Sequence, residues 1–120
     1  MPASYWMFAT AVGLLVIALI CGAAMVGFLF VGNTRPPLAL GLVHGVSAVA
    51  AVTLALSATL MKGATRSLAA AIVALLLAVA AGLRLLTFHL RNRPVSPSAV
   101  GTHALLALAG FVGLVLALLQ

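Results

Sequence analysis

His44 and His103 are the side chains of this chain best suited to chemistry, each an imidazole roughly two turns inside an apolar segment. Imidazole binds iron, zinc or copper through a neutral ring nitrogen, and only His here titrates near neutral pH. If the two segments run the same way through a membrane, both rings lie at one depth near one face. Such a pair would hold a haem iron or another metal between two helices. Without a cofactor, it would serve as two polar groups in helix packing.

Little else in the chain competes for a chemical role. The 120 residues include no Asp or Glu, six Lys and Arg together, and 66% apolar residues. A water-soluble fold could not cover itself with so little polar surface. The absence of carboxylates excludes a carboxylate proton relay, a carboxylate ion site and an acidic general acid/base pair. Cys21 is the single cysteine and can form no disulfide within the chain, so it reads as a small packing residue. No Gly-rich phosphate loop, nucleophile elbow or Cys-x-x-Cys pair is present. An electron carrier or accessory subunit is therefore expected ahead of an enzyme. The net charge of +6 is dispersed over short turns, which fits topology and lipid headgroups and argues against nucleic acid.

The histidines are positioned by four apolar runs, Trp6 to Val31, Leu38 to Met61, Leu68 to Leu90 and Ala99 to Leu119. Each supplies the ~20 residues an α-helix needs to cross hydrocarbon. The expected fold is all-α, an integral membrane four-helix bundle in one transmembrane domain spanning residues 1–120. Gly32 to Pro37, Lys62 to Ser67 and Arg91 to Ser98 carry the Gly, Pro and Ser of turns and helix starts, which makes neighbouring helices antiparallel. Met1 to Trp6 has no basic stretch, and the run behind it is too long for a signal-peptide core, so a retained helix is expected.

An offset of 59 residues sets His44 on His103, Asn33 on Asn92, Ala48 on Ala107 and Ala50 on Ala109, and brings Arg35-Pro36 within a residue of Arg93-Pro94. The pattern is that of a helical hairpin repeated twice. Copies with an even number of helices share one orientation and are related by a pseudo-twofold along the membrane normal. His44 and His103 would face each other across that axis.

Each histidine heads a stripe of small residues: Gly41, Ala48 and Ala51 around His44, and Ala107 and Gly110 around His103. Such stripes would let a flat macrocycle lie between the helices, bound by an imidazole from each side. They equally suit close helix packing, and Gly41-x-x-x-Gly45 fits the small-xxx-small pattern. Gly13, Gly22 and Gly27 read as close-contact positions in the first span. Arg84 falls about two turns below Arg91, where an unpartnered cation costs at least ~2.5 kcal/mol. A haem propionate could pair with it, as could a lipid phosphate, a snorkelling conformation or another subunit's carboxylate. His89 reads as an interfacial residue. Three imidazoles on one centre would be a further alternative, for zinc or copper. Ser47, Thr53, Ser57 and Thr59 are expected to bond back to their own helix or to pack. Met25 and Met61 read as packing.

The face bearing the histidines also carries Arg35, Arg91 and Arg93, with Arg84 slightly deeper, against Lys62 and Arg66 opposite. Positive-inside bias puts the histidine face toward the cytoplasm and both termini outside, in a bacterial inner membrane, with Tyr5 and Trp6 as an interfacial anchor.

The unit from Arg35-Pro36-Pro37 to His44-Gly45, echoed from Arg93-Pro94 to His103-Ala104, resembles that of small four-helix bacterial membrane proteins without an assigned function. More loosely, one histidine on each of helices two and four resembles the helical b-type cytochromes, cytochrome b561-like proteins among them, whose haem sits between histidines of a four-helix bundle. By that resemblance His44 and His103 are axial ligands of haem b. A two-haem pattern needs four such histidines, and this chain offers one pair at one face.

Three functions follow as expectations. The first is a small b-type cytochrome passing electrons at the histidine face to quinone or to a partner protein. The second is a cofactor-free accessory subunit of a larger respiratory or photosynthetic membrane complex, contacting lipid, other subunits or further copies of itself. The third is a transporter or channel for a small solute, for which no inverted repeat or broken helix speaks.

Overall fold

Proline and hydroxyl side chains set where the helices begin in the computed structural model, which describes all 120 residues. α1 (Ala3–Val26) starts after the extended Pro2, and α2 (Leu38–Lys62) after Pro36-Pro37. The Thr65 hydroxyl accepts the Leu68 N–H at 3.2 Å to cap α3 (Arg66–Leu90). Ser96 accepts the Ala99 N–H at 3.2 Å to cap α4 (Pro97–Leu118), with Pro97 in the first helical position, where its missing N–H costs nothing. Gly63, at φ 90°, turns the chain after α2 in a conformation that other residues rarely adopt.

The four-helix bundle is as expected, with helices that begin two or three residues before the expected span starts at α1, α3 and α4. All four are long and apolar enough to cross a membrane, and the molecule is 45 Å along its long axis. Apolar side chains such as Ile20, Leu105 and Leu116 are more than half exposed on the outside. With every helix this apolar, the chain is an integral membrane protein whose outer surface is suited to lipid.

α1 packs chiefly on α2 and α3 on α4, forming two hairpins that meet through α2 against α3 and α1 against α4. Phe8, Ala11, Leu15 and Ala18 are buried on α1, and Leu68, Ala71, Leu75 and Ala78, sixty positions later, are buried on α3. The duplication thus extends to the first helix of each hairpin, at an offset of 60 where α2 and α4 match at 59.

A turn of π-helix accounts for the difference. Gly27–Val31 continues α1 as a π turn, which closes over five residues where an α turn closes over four. Gly32 N–H donates to Gly27 O, whereas the matching bond at the end of α3 runs from Arg91 N–H to Thr87 O. Likewise Thr34 N–H reaches Phe28 O and Arg93 N–H reaches Phe88 O, both at 2.9 Å. The first copy holds one extra residue and winds it into the helix. Beyond it the copies re-register at Asn33 (φ 49°) and Asn92 (φ 55°), both left-handed, a conformation that Asn tolerates better than most residues.

The packed core lies in the half of the bundle away from the histidines, built by Phe8, Ala11, Leu15, Ala51, Val52, Ala55, Ala58, Leu68, Ile72, Leu75 and Leu114. α3 and α4 approach most closely there. A Cβ on Gly110 would come within 2.5 Å of Leu75 Cγ, and one on Gly113 within 2.6 Å of Ala71 Cβ. Of the four α2 hydroxyls, three bond back to their own helix, Thr53 to Val49 O, Ser57 to Thr53 O and Thr59 to Ala55 O, and Ser47 does not.

Candidate functional site between the hairpins

In the half of the bundle that bears the histidines, the hairpins enclose a cavity of about 490 Å³ with a largely apolar wall. The buried Pro36 closes part of it near the α1–α2 turn. His44 and His103 both line it, on α2 and α4, with ring centroids 5.9 Å apart and planes at 66°. The sequence match at offset 59 therefore corresponds to a meeting in space across the bundle.

Each ring is held in the same way within its own hairpin. His44 Nδ1 lies 2.7 Å from Ala18 O, and His103 Nδ1 lies 2.8 Å from Ala78 O. A carbonyl can only accept, so each Nδ1 donates its N–H, and in a neutral imidazole the Nε2 keeps a lone pair. Neither Nε2 makes a hydrogen bond within the chain, and no occluded side-chain nitrogen is left unpartnered, so both remain accessible. A helical carbonyl bonded to Nδ1 is the partner that commonly fixes a ligating histidine's tautomer and ring orientation.

One turn beyond each alanine stands a glycine that makes room for the ring. A Cβ on Gly22 would lie 3.2 Å from His44 Cε1, and one on Gly82 would lie 3.0 Å from His103 Cε1. The unit is thus Ala18-x-x-x-Gly22 facing His44 and Ala78-x-x-x-Gly82 facing His103. Sequence reasoning assigned Gly22 to helix contact and gave Ala18, Ala78 and Gly82 no role. The signal that reveals them is the offset of 60, which the extra residue of the π turn separates from the offset of 59.

Gly41, Ala48 and Ala107 line the cavity. Gly41 and Gly45 do not form a tight helix contact: only Met25 Sδ, at 3.8 Å, is near a Cβ on Gly41, and nothing is within 4 Å of one on Gly45. Their lack of side chains leaves open space. Gly13 and Gly27 likewise meet nothing within 4 Å, so the close contacts expected of them are absent. Ala51 and Gly110, expected in the stripes below the histidines, belong to the packed half. Met25 borders the cavity.

Arg84 lies outside the cavity wall, exposed, with its guanidinium carbon 5.7 Å from the centre of the Phe88 ring. At about 100° per residue, two positions beyond the cavity-facing Gly82 carries a side chain to the opposite side of α3. His89 lines the cavity, but the three histidines do not gather into one metal-binding cluster.

The hairpins are also joined at the turns. The Arg35 guanidinium donates from Nη1 to Asn92 Oδ1 and from Nη2 to Asn92 O, the latter at 2.9 Å. Compared with known families, curated proteins and solved structures, the chain matches none.

Proposed function

We propose that this chain is a small membrane cytochrome of b type, binding one haem b between His44 and His103 and passing electrons at that face to quinone or to a partner protein. The observation that carries the reading is the matched pair of Nδ1–H to carbonyl bonds, which leave two accessible Nε2 lone pairs at one apolar cavity. With metal–imidazole bonds of about 2 Å, two rings on opposite sides of one metal would have centroids roughly 6 Å apart. The observed separation is 5.9 Å.

In this reading His44 and His103 would hold the haem iron, and Ala18 and Ala78 hold their orientation through the backbone. Gly22 and Gly82 give the rings room, while Gly41, Gly45, Ala48 and Ala107 leave space beside them for a flat group. Haem supplies one-electron transfer when bound, at a potential set by its ligands and surroundings. The apolar wall would raise the cost of an added charge. The histidine face is assigned to the cytoplasmic side of a bacterial inner membrane, from the arginines around the two turns.

The test is the absorption spectrum of the protein purified in mild detergent after expression with added haem. A bis-histidine b haem gives sharp reduced α and Soret bands, which His44→Ala and His103→Ala each abolish.

A second reading rests on the same bonds. Each histidine already has a helix-to-helix partner inside its hairpin, and many outward apolar residues have no neighbour in the chain. A cofactor-free accessory subunit of a larger membrane complex uses both features. It gives a colourless protein after haem supplementation and co-purifies with its assembly.

A further inference from the structure

The wall of the large cavity repeats between the two hairpins position for position. At an offset of 60, the residues of α1 and its π turn that line it, from Leu19 to Leu29, match those of α3, from Val79 to His89. At an offset of 59, those of α2 from Gly41 to Val49 match those of α4 from Val100 to Leu108. Gly22 thus pairs with Gly82 and His44 with His103, and the other positions pair apolar with apolar, save one. Leu29 of the first copy is His89 in the second.

His89 therefore breaks the chemical symmetry of the wall. Apart from His44 and His103 it is also the only strongly polar side chain there. It is half-buried, and its ring makes no hydrogen bond in the chain, unlike the rings of His44 and His103. Seven residues beyond Gly82, which faces the His103 ring, His89 lies on the same face of α3 and about 10 Å nearer the turns.

Such a wall suits a ligand that is apolar over most of its body and polar at the edge toward the turns. An imidazole N–H donates well to a carboxylate, and a hydrogen bond to a charged acceptor is roughly twice as strong as one between neutral groups. The chain has no Asp or Glu to take that bond. The apolar surroundings raise the cost of leaving a carboxylate there unpaired.

We propose that His89 holds a carboxylate of the cavity's ligand, donating a ring N–H to it. This rests on the haem reading above, since haem b is apolar except for two propionates on one edge. Only one of the two finds a partner on the wall, because the matching position of the first copy is Leu29.

The full chain, purified in mild detergent without added haem, is titrated with haemin and with haemin dimethyl ester, whose propionates are neutral, and the Soret band is followed. The expected result is about tenfold tighter binding of haemin than of the ester by the wild type. His89→Leu removes that preference, weakening haemin about tenfold and leaving the ester within about threefold. His89→Gln, which keeps a donor, retains part of the preference. Leu29→His in the His89→Leu chain restores it from the matching position. Circular dichroism shows the same helix content throughout. A wild type that binds neither porphyrin would overturn the haem reading and this proposal together. Binding of both with no preference for haemin, or with a preference that His89→Leu leaves intact, would overturn the role of His89 and leave the haem reading standing.

Discussion

His44 and His103 make the same hydrogen bond sixty residues apart in its acceptor: each Nδ1–H reaches the carbonyl of an alanine, Ala18 or Ala78, one helical turn before a glycine that leaves room for the ring. Because each bond lies within one hairpin, each hairpin presents its own imidazole ready-oriented. The cavity arises where the two presentations meet.

The glycines opposite the rings are the sharpest test of that arrangement. Gly82→Ala places a methyl 3.0 Å from His103 Cε1, and Gly22→Ala places one 3.2 Å from His44 Cε1. Both should push the ring from its carbonyl, Gly82→Ala more strongly. An interhelical bond of this kind is worth about 0.6–2 kcal/mol in a membrane protein. Thermal unfolding followed by circular dichroism should show losses of that order in both variants. Gly13→Ala, which meets nothing within 4 Å, should cost no stability.

Deleting Val31 should be tolerated. The π turn holds the one residue by which the first copy exceeds the second, and removing it leaves the spacing from Phe28 to Asn33 equal to that from Phe88 to Asn92. Helix content and melting temperature should stay close to wild type. Deleting Ala81 instead turns Gly82 and Ala78 by about 100° relative to one another, and should lower the melting temperature markedly.

Gly110 sets the contact between α3 and α4. Gly110→Ala drives its methyl against Leu75 Cγ, where only 2.5 Å is available. Overpacking of this kind costs about 1–3 kcal/mol. Leu75→Ala in the same chain should recover part of the loss, giving a measurable coupling energy in a double-mutant cycle.

The Arg35 bonds to Asn92 join the hairpins at their exposed turns. Arg35→Gln should cost about 1 kcal/mol or less, as exposed polar contacts do. Asn92→Gly keeps the left-handed backbone while removing Oδ1, so it should cost no more than Arg35→Gln. Asn92→Val should cost more, because a β-branched residue is strained at φ 55°. Unfolding in graded denaturant would rank the three.

The spans were legible in the sequence because helices that face lipid must be apolar for about twenty residues; Pro2 and the caps Thr65 and Ser96 start three of them two or three residues earlier. The histidine pairing was legible too, since the two imidazoles share an offset with Asn33 and Asn92. What faced them was not. One extra residue shifts α1 and α3 to a different offset, and a π turn that hides an insertion inside a helix has no hydropathy signature. Depth alone does not place Arg84: it is exposed outside the cavity wall, in the angular register that its neighbour Gly82 sets on α3. Gly41 and Gly45 showed how a small-residue pattern leaves two outcomes open, close packing or open space, until the opposite wall is seen.

The proposal that His44 and His103 together hold one haem can be measured on the purified protein. The most direct measurement is the amount of haem per polypeptide, by pyridine haemochrome, in wild-type, His44→Ala and His103→Ala protein expressed with added haem. The expected result is about one haem per chain in the wild type and little in either variant, with all three keeping the same helix content. A wild type without haem, or variants that retain it undiminished, would contradict the claim.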